Sequence, residues 1–385
     1  MRSALTTCLP ILVLAQALSA QITTSEYDSL QSYFSSLHGS TFFPVDGGTI
    51  DDVESSFGPR IQSSTDNYDF HRGIDIDGTQ GDNILAVADG VFWEYREFSG
   101  GGHTVILRHE FDSPMTLNGT SYNYYYTYYM HLYDDGIGSN GTSTDDIVSS
   151  WTAAKTNGGV GTVITAGQHI GEMGNSGSGG GDAYADHLHM EVRVGTTNSL
   201  EYQNENPQTT QHGFDPHLHP LLFLPPEVFG TPDYTPILEQ LGEFEEGVGL
   251  TMQYSVDDES PLLNRFEINI VDQLTDEVVQ SYVLDFNLRT GYDHTTLEEL
   301  DTQNTLVPYI DPQEFGDTAI AFTSNLVLPE EWLESYLNGD YRLDLSAYDI
   351  WDNETALSLT LVPEPGTFAL LAGLASLAVA MKRRR

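Results

Sequence analysis

Residues 185–193 read ADHLHMEVR. Polar and apolar side chains alternate there, the mark of a β-strand whose neighbours point to opposite faces. His187 and His189 then share one face, and Leu188 and Met190 point the other way. Taken alone, the pair is compatible with two half-exposed histidines on a sheet surface. The rest of the chain decides whether it is more.

Working outward, the strand belongs to a glycine-rich region of short β-type runs. DNILAVADGVFWEY (82–95), GGHTVILRHEF (101–111), SYNYYYTYYMHLY (121–133) and GTVITAGQHIGEM (161–173) are each bounded by Gly, Asp or Asn. That punctuation predicts antiparallel strands rather than βαβ units. The region runs from residue 42 to 224. A segment at 21–41 before it has room for a short helix, and a proline-rich stretch after it, LPPEVFGTPDYTP, makes 225–239 a linker. Residues 240–361 alternate again in RFEINIVDQ, VVQSYVLDF, TAIAFTSNLVL and YRLDLSAYDIWDN, which predicts a β-sandwich. GDYRLDLSAYDIWDNET (339–355) resembles the late strands of immunoglobulin-like or fibronectin-like modules, which implies an immunoglobulin-like sandwich. No catalytic constellation is legible there, and a binding or spacer role is the default. The expected fold class is mostly β throughout.

The chain has 385 residues, with 57 Asp and Glu against 14 Lys and Arg, a net charge of −43. Nucleic-acid binding needs a basic surface, so no nucleic-acid partner is expected. Such an acidic surface favours solubility. Cys8 is the single cysteine and lies within the first 20 residues. If that segment is removed, neither a disulfide nor a thiolate ligand is available.

Both ends read as addresses. Residues 1–20, MRSALTTCLPILVLAQALSA, join Arg2 to an apolar run and to Ala15, Ala17 and Ala20, a secretory signal cleaved after Ala17 or Ala20. At 362–385 a Pro-Glu-Pro triplet precedes an apolar run and the basic ending KRRR. This tail resembles the PEP-CTERM sorting signals of Gram-negative bacteria. The resemblance implies a C-terminal helix held transiently in the inner membrane, cleavage by an exosortase-type sorting enzyme, and delivery to the cell surface or extracellular matrix. A permanent anchor is the plain alternative.

Upstream of the histidine pair, DFHRGIDIDG places His71 and Asp75 four residues apart. Gly73 and the β-branched Ile74 and Ile76 argue against a helix, and a fully extended strand would hold the two about 13 Å apart. The backbone must therefore bend, and Gly73 permits it. Two His nitrogens and one carboxylate oxygen are a common protein share of a catalytic zinc site, with one position left for water. His71, Asp75 and one histidine of the 187/189 pair make such a set, leaving the other imidazole beside the metal to move protons.

Residues 56–195 resemble the lysostaphin/LytM-type zinc endopeptidases. The matches come in order: FGPR (57–60), HRGIDI (71–76), ILAVADGVF (84–92), GGHTVILRH (101–109), YYMHL (128–132), ITAGQHIGEMGNSGSGGG (164–181) and HLHMEVR (187–193). The resemblance implies a zinc metallopeptidase domain over 42–224 with its core at 56–195. It implies Zn²⁺ bound by His71, Asp75 and His189, with His131 and His187 acting catalytically beside the metal-bound water and the developing oxyanion, their individual roles left open. It implies peptidoglycan peptide cross-links as substrate, and the Gram-negative tail points to D-alanyl–diaminopimelate links.

YAD (184–186) departs from the family, which has Gly-Pro before the pair. Asp186 either raises the basicity of His187 or faces solvent. Segments 110–127 and 134–158 look longer than the family core and are expected to rim the groove. The tyrosines from 122 to 133 read as strand residues, half of them in a core. A second pair, His217 and His219 in FDPHLHPLLFL, lies past the last matching strand and is set aside from the zinc set. Two rival functions remain. One is a non-hydrolytic surface- or matrix-binding protein working through 240–361, which would still attach after His189→Ala. The other is a regulator of other wall hydrolases, against which the intact ligand positions argue.

Overall fold

The computed structural model describes residues 24–62, 67–134, 143–154, 160–177, 182–195 and 217–224, then 238–240, 250–252, 254–256, 263–287, 320–321, 324–326 and 341–359. Both address segments and most of the linker lie outside these. Among the described residues no helix is long and apolar enough to cross a membrane.

The chain is mostly β, with antiparallel pairing throughout. After a helix α1 (Thr24–Leu37) come β1 (Val53–Ser55), β2 (Gly58–Gln62), β3 (Asn67–His71), β4 (Gly73–Asp77), β5 (Asn83–Leu85) and β6 (Gly90–Phe98). They are followed by β7 (Gly102–Leu117), β8 (Thr120–Leu132), β9 (Val163–Ile164), β10 (His169–Glu172), β11 (Gly174–Ser176), β12 (Asp182–Gly195) and β13 (His217–Leu218). The main sheet runs β1-β4-β12-β8-β7-β6-β9, and β11 and β13 also pair with β12. The strand that opened the reading is thus central, between β4 and β8.

Its two faces differ as the alternation requires. Leu188, Met190 and Val192 join Ile74, Ile76, Val105, Leu107, Tyr125 and Tyr129 in the main core. Burying each contributes roughly 1.5–3 kcal/mol. A one-residue slip of β12 would expose all three and turn the histidines inward, so the apolar face locks the register that places the histidines. On the opposite face Tyr126, Tyr128 and Met130 pack with Trp93, Ile106 and Ala154 in a smaller cluster. The tyrosine run therefore divides between two apolar layers.

Residues 110–127 do not rim the histidine face. They form the outer half of a β7–β8 hairpin turned by Asn118 (φ 48°) and Gly119 (φ 72°), the left-handed pair that a two-residue hairpin turn demands. Its tip lies roughly 40 Å along β8 from His131.

His109 on β7 is buried as a neutral ring. Its Nδ1 donates to the Asp89 carbonyl at 2.7 Å, and its Nε2 accepts from the Thr127 hydroxyl at 2.9 Å. Burial pulls its pKa down to about 4, against the Asp89 carbonyl. That folded value lies below the roughly 6.5 of an unfolded histidine. Its contribution to stability is therefore complete above pH 6.5 and is lost as pH falls toward 4. We expect a loss of about 1.4 kcal/mol per pH unit across that window. Urea unfolding between pH 6 and 4.5 should show a slope shallower by that amount in His109→Gln.

The helix expected in the N-terminal segment is α1, and it is no loose leader. Leu30 and Phe34 are buried, with the Phe34 ring 4.2 Å from Phe223 and 5.5 Å from Tyr125. Its other side meets the C-terminal region: Tyr27 Oη and Gln31 Nε2 both donate to the Ile350 carbonyl at 3.0 Å, and Asn264 Nδ2 donates to Tyr27 Oη at 2.8 Å. In that region Val278–Asp285, Leu263–Asp272, Tyr341–Asp349 and Glu354–Leu359 form a four-stranded antiparallel sheet in that order. Phe266, Ile268, Ile270, Leu343, Leu345 and Ala347 are buried along its two central strands. The expected sandwich extends over residues outside those described.

Candidate metal centre

The bend demanded by the His71–Asp75 spacing lies at Arg72, where β3 ends and β4 begins. Gly73 carries no positive φ. What requires glycine there is close approach: a Cβ would run into the Met190 carbonyl oxygen and stand 2.8 Å from His189 Nε2. Across the β4–β12 ladder Asp75 pairs with His189 and Gly73 with Glu191, and on the other side His189 pairs with Met130. Paired residues share a face, so Asp75 and His189 meet side chain to side chain.

The three ligand-type atoms converge. His189 Nδ1 lies 2.7 Å from Asp75 Oδ1, His71 Nε2 lies 3.1 Å from His189 Nδ1, and His71 Nε2 lies 3.3 Å from Asp75 Oδ2. Among the described residues, this is the one group of three His, Cys, Asp or Glu side chains able to share an ion. Donor atoms around a tetrahedral zinc stand roughly 3.3 Å apart, so the set is sized for one.

Each imidazole is anchored by its outer nitrogen. His71 Nδ1 donates to the Ser56 carbonyl at 2.7 Å, and His189 Nε2 donates to Glu191 at 3.2 Å. His131 Nδ1 donates to the Ser176 carbonyl at 2.8 Å, and His187 Nδ1 donates to the Ala185 carbonyl at 2.9 Å. A carbonyl or carboxylate can only accept, so the anchored nitrogen carries a proton. The second nitrogen of His71, His131 and His187 is left for the cleft, while that of His189 faces the Asp75 carboxylate. Such anchors fix tautomer and ring orientation at metal sites.

Electrostatics favour a cation among them. Burial would raise the pKa of Asp75, but His71 and then His189 outweigh it and hold the carboxyl well below its usual range. Burial would likewise lower His189, but Asp75 foremost and then Glu191 push it up to about 9. Burial and the Arg60 guanidinium lower His71. Two lone pairs and a carboxylate oxygen at these distances need a positive centre between them, and a proton on His189 fills that place until a metal displaces it.

His131 and His187 stand beside this group, ring centroids 4.6 Å apart, with His187 Nε2 3.7 Å from Asp75 Oδ1. His131 sits at the end of β8 with φ 59°, a left-handed conformation that strains a residue with a side chain. Its amide donates to the Gly101 carbonyl at 2.9 Å, and its ring is held by Ser176. Ser176 Oγ in turn donates to the Leu132 carbonyl and accepts from the His103 amide. Burial, then nearby His189 and His187, lower the His131 pKa to about 3, so the ring is neutral.

Asp186 points to neither His187 nor open solvent. Its carboxylate accepts from the Gln80 amide and from Asn175 Nδ2, both at 3.1 Å, bracing the loop after β4. Sequence reasoning missed four neighbours: Glu191, Arg60, Ser176 and Tyr184. Arg60 Nη1 lies 3.4 Å from Asp75 Oδ2, and the Tyr184 ring lies 4.6 Å from that of His131. Glu191 alone was findable, since it follows His187 and His189 at the same two-residue period.

No family model matches the chain, and no curated protein matches it. Solved structures do. A zinc-containing peptidase from Vibrio cholerae is 23% identical over 40% of this chain and 37% of its own, with a TM-score of 0.27. The catalytic domain of the antimicrobial peptidase lysostaphin from Staphylococcus simulans is 22% identical over 44% of this chain and 88% of its own, with a TM-score of 0.24. LytU is 22% identical over 39% and 78%, also at 0.24. The match spans little more than a third of the Vibrio peptidase, and the convergence of His71, Asp75 and His189 carries the functional reading instead.

Proposed function

We propose that the chain is an exported zinc-dependent endopeptidase that hydrolyses peptide cross-links of peptidoglycan. The observation that carries this is the meeting of His71 Nε2, Asp75 and His189 Nδ1, with the outer nitrogen of each imidazole already committed. These three would hold Zn²⁺. Bound there, zinc supplies Lewis-acid polarisation of the scissile carbonyl and acidifies water. The rings of His131 and His187 lie against each other beside that group of three. One of these imidazoles would take a proton from the attacking water and pass it to the leaving amine, and in its protonated form it would steady the oxyanion. Export through the signal segment and sorting of the tail by an exosortase-type enzyme would bring this site to the wall.

Purified sacculi incubated with the full chain and zinc should release new uncross-linked peptides, read by mass spectrometry. His189→Ala should release none. A folded, zinc-loaded chain that leaves the cross-links intact would sink the proposal.

A further inference from the structure

The second histidine pair, set aside on sequence, lies next to the metal centre. Strand β13 pairs with β12 through Val192 opposite Leu218 and Arg193 opposite His217. This brings His217, buried at 3% exposure, against the carboxylate of Glu191, itself buried at 5%. His217 Nε2 lies 3.3 Å from Glu191 Oε2. The guanidinium of Arg193 reaches the same oxygen, with Nε at 2.6 Å, while its Cζ lies 4.2 Å from the centre of the Tyr128 ring. Arg193 donates to Oε2 and His217 Nε2 stands within ion-pair range of it, which leaves Oε1 directed at His189 Nε2, 3.2 Å away.

We propose that His217 and Arg193 are positioning residues of the metal centre, fixing the Glu191 carboxylate so that His189 presents Nδ1 to the metal. The inference rests on the zinc reading above. An imidazole has two nitrogens of similar basicity, and binding through Nδ1 requires the one remaining proton to stay on Nε2. Asp75, 2.7 Å from Nδ1, pulls that proton the wrong way and would close the site as a His–Asp hydrogen bond. Glu191 opposes it only while its carboxylate is aimed. A buried carboxylate is tolerated only where donors or opposite charge satisfy it. On the side away from the metal Arg193 is the donor, and the His217 imidazole stands in ion-pair range beside it. The chain beyond the core of the metal domain therefore contributes to metal binding without touching the metal.

The alternative is that these side chains only fasten β13 to β12. Zinc affinity of the full chain, measured by competition with a chromophoric chelator, separates the two when set beside urea unfolding of the metal-free protein. His217→Leu should weaken zinc 10–100-fold. His217→Gln, whose amide can donate to Oε2, should recover most of that. If His217→Leu does not fold, Glu191→Gln takes its place, with the same 10–100-fold loss expected. Wild-type affinity in a folded His217→Leu or Glu191→Gln chain overturns the inference. So does equal loss in the Leu and Gln variants of His217. A wild-type chain that binds no zinc removes the metal reading itself, and this inference with it.

Discussion

Asp75→Asn is expected to reduce zinc affinity by more than about 100-fold, beyond what loss of an outer partner of a metal ligand brings. Cleavage of cross-links should fall below detection with it. Among the described residues Asp75 is the one anion within 3.7 Å of three imidazoles, His71, His187 and His189, and Arg60 Nη1 stands 3.4 Å away. Asparagine keeps the shape but removes the charge that offsets these groups and the metal. The variant should still fold, because the core lies on the opposite face of the sheet. Asp77→Asn is the control: it lies on the same strand and face, opposite His187, but is exposed. It should keep zinc affinity within a few-fold. Chelator competition reads both, and an Asp75→Asn protein that binds zinc within about tenfold of wild type would refute the ligand assignment.

Gly73→Ala should destabilise the fold by about 3 kcal/mol, at the upper end of overpacking penalties. The added methyl would collide with the Met190 carbonyl oxygen, and a backbone atom in a central ladder has little room to move. The same methyl would meet His189 Nε2 at 2.8 Å, in the space crossed by the hydrogen bond to Glu191. One substitution therefore strikes both packing and site, and zinc affinity should fall together with the urea midpoint. Gly39→Ala, with open space around it, should change stability by no more than about 0.5 kcal/mol. A Gly73→Ala protein as stable as wild type would show that β4 and β12 lie farther apart than described.

What the chain disclosed in advance follows from period and punctuation. Alternation in HLHMEVR fixed which face His187 and His189 share, and glycine, Asp and Asn boundaries separated the long strands β7, β8 and β12. The spacing of His71 and Asp75 required a bend, which lies at Arg72. Residues close in space but far in sequence were the ones hidden. His217 reaches Glu191 only because β13 returns to the edge of β12, and no local pattern announces that pairing. Asp186, adjacent to His187, turned out to brace a loop. Gly73 was read for its backbone freedom, whereas neighbouring strands demand it for its missing side chain. The destination of α1 was equally hidden, because its apolar positions specify burial but not the partner.

That helix also joins regions that the sequence sets apart. Tyr27 and Gln31 converge on a single acceptor, the Ile350 carbonyl, more than three hundred residues downstream. The earliest and latest parts of the described chain are thus closed on each other like a clasp. Cutting the chain within the Asp349–Asn353 turn is expected to cost α1 the acceptor that both side chains share. Opening the clasp frees α1 to lift from Phe223 and Tyr125, uncovering the apolar underside of the sheet whose other face carries the histidines. One carbonyl oxygen thus ties the described C-terminal sheet to the helix that covers the apolar face behind the histidines.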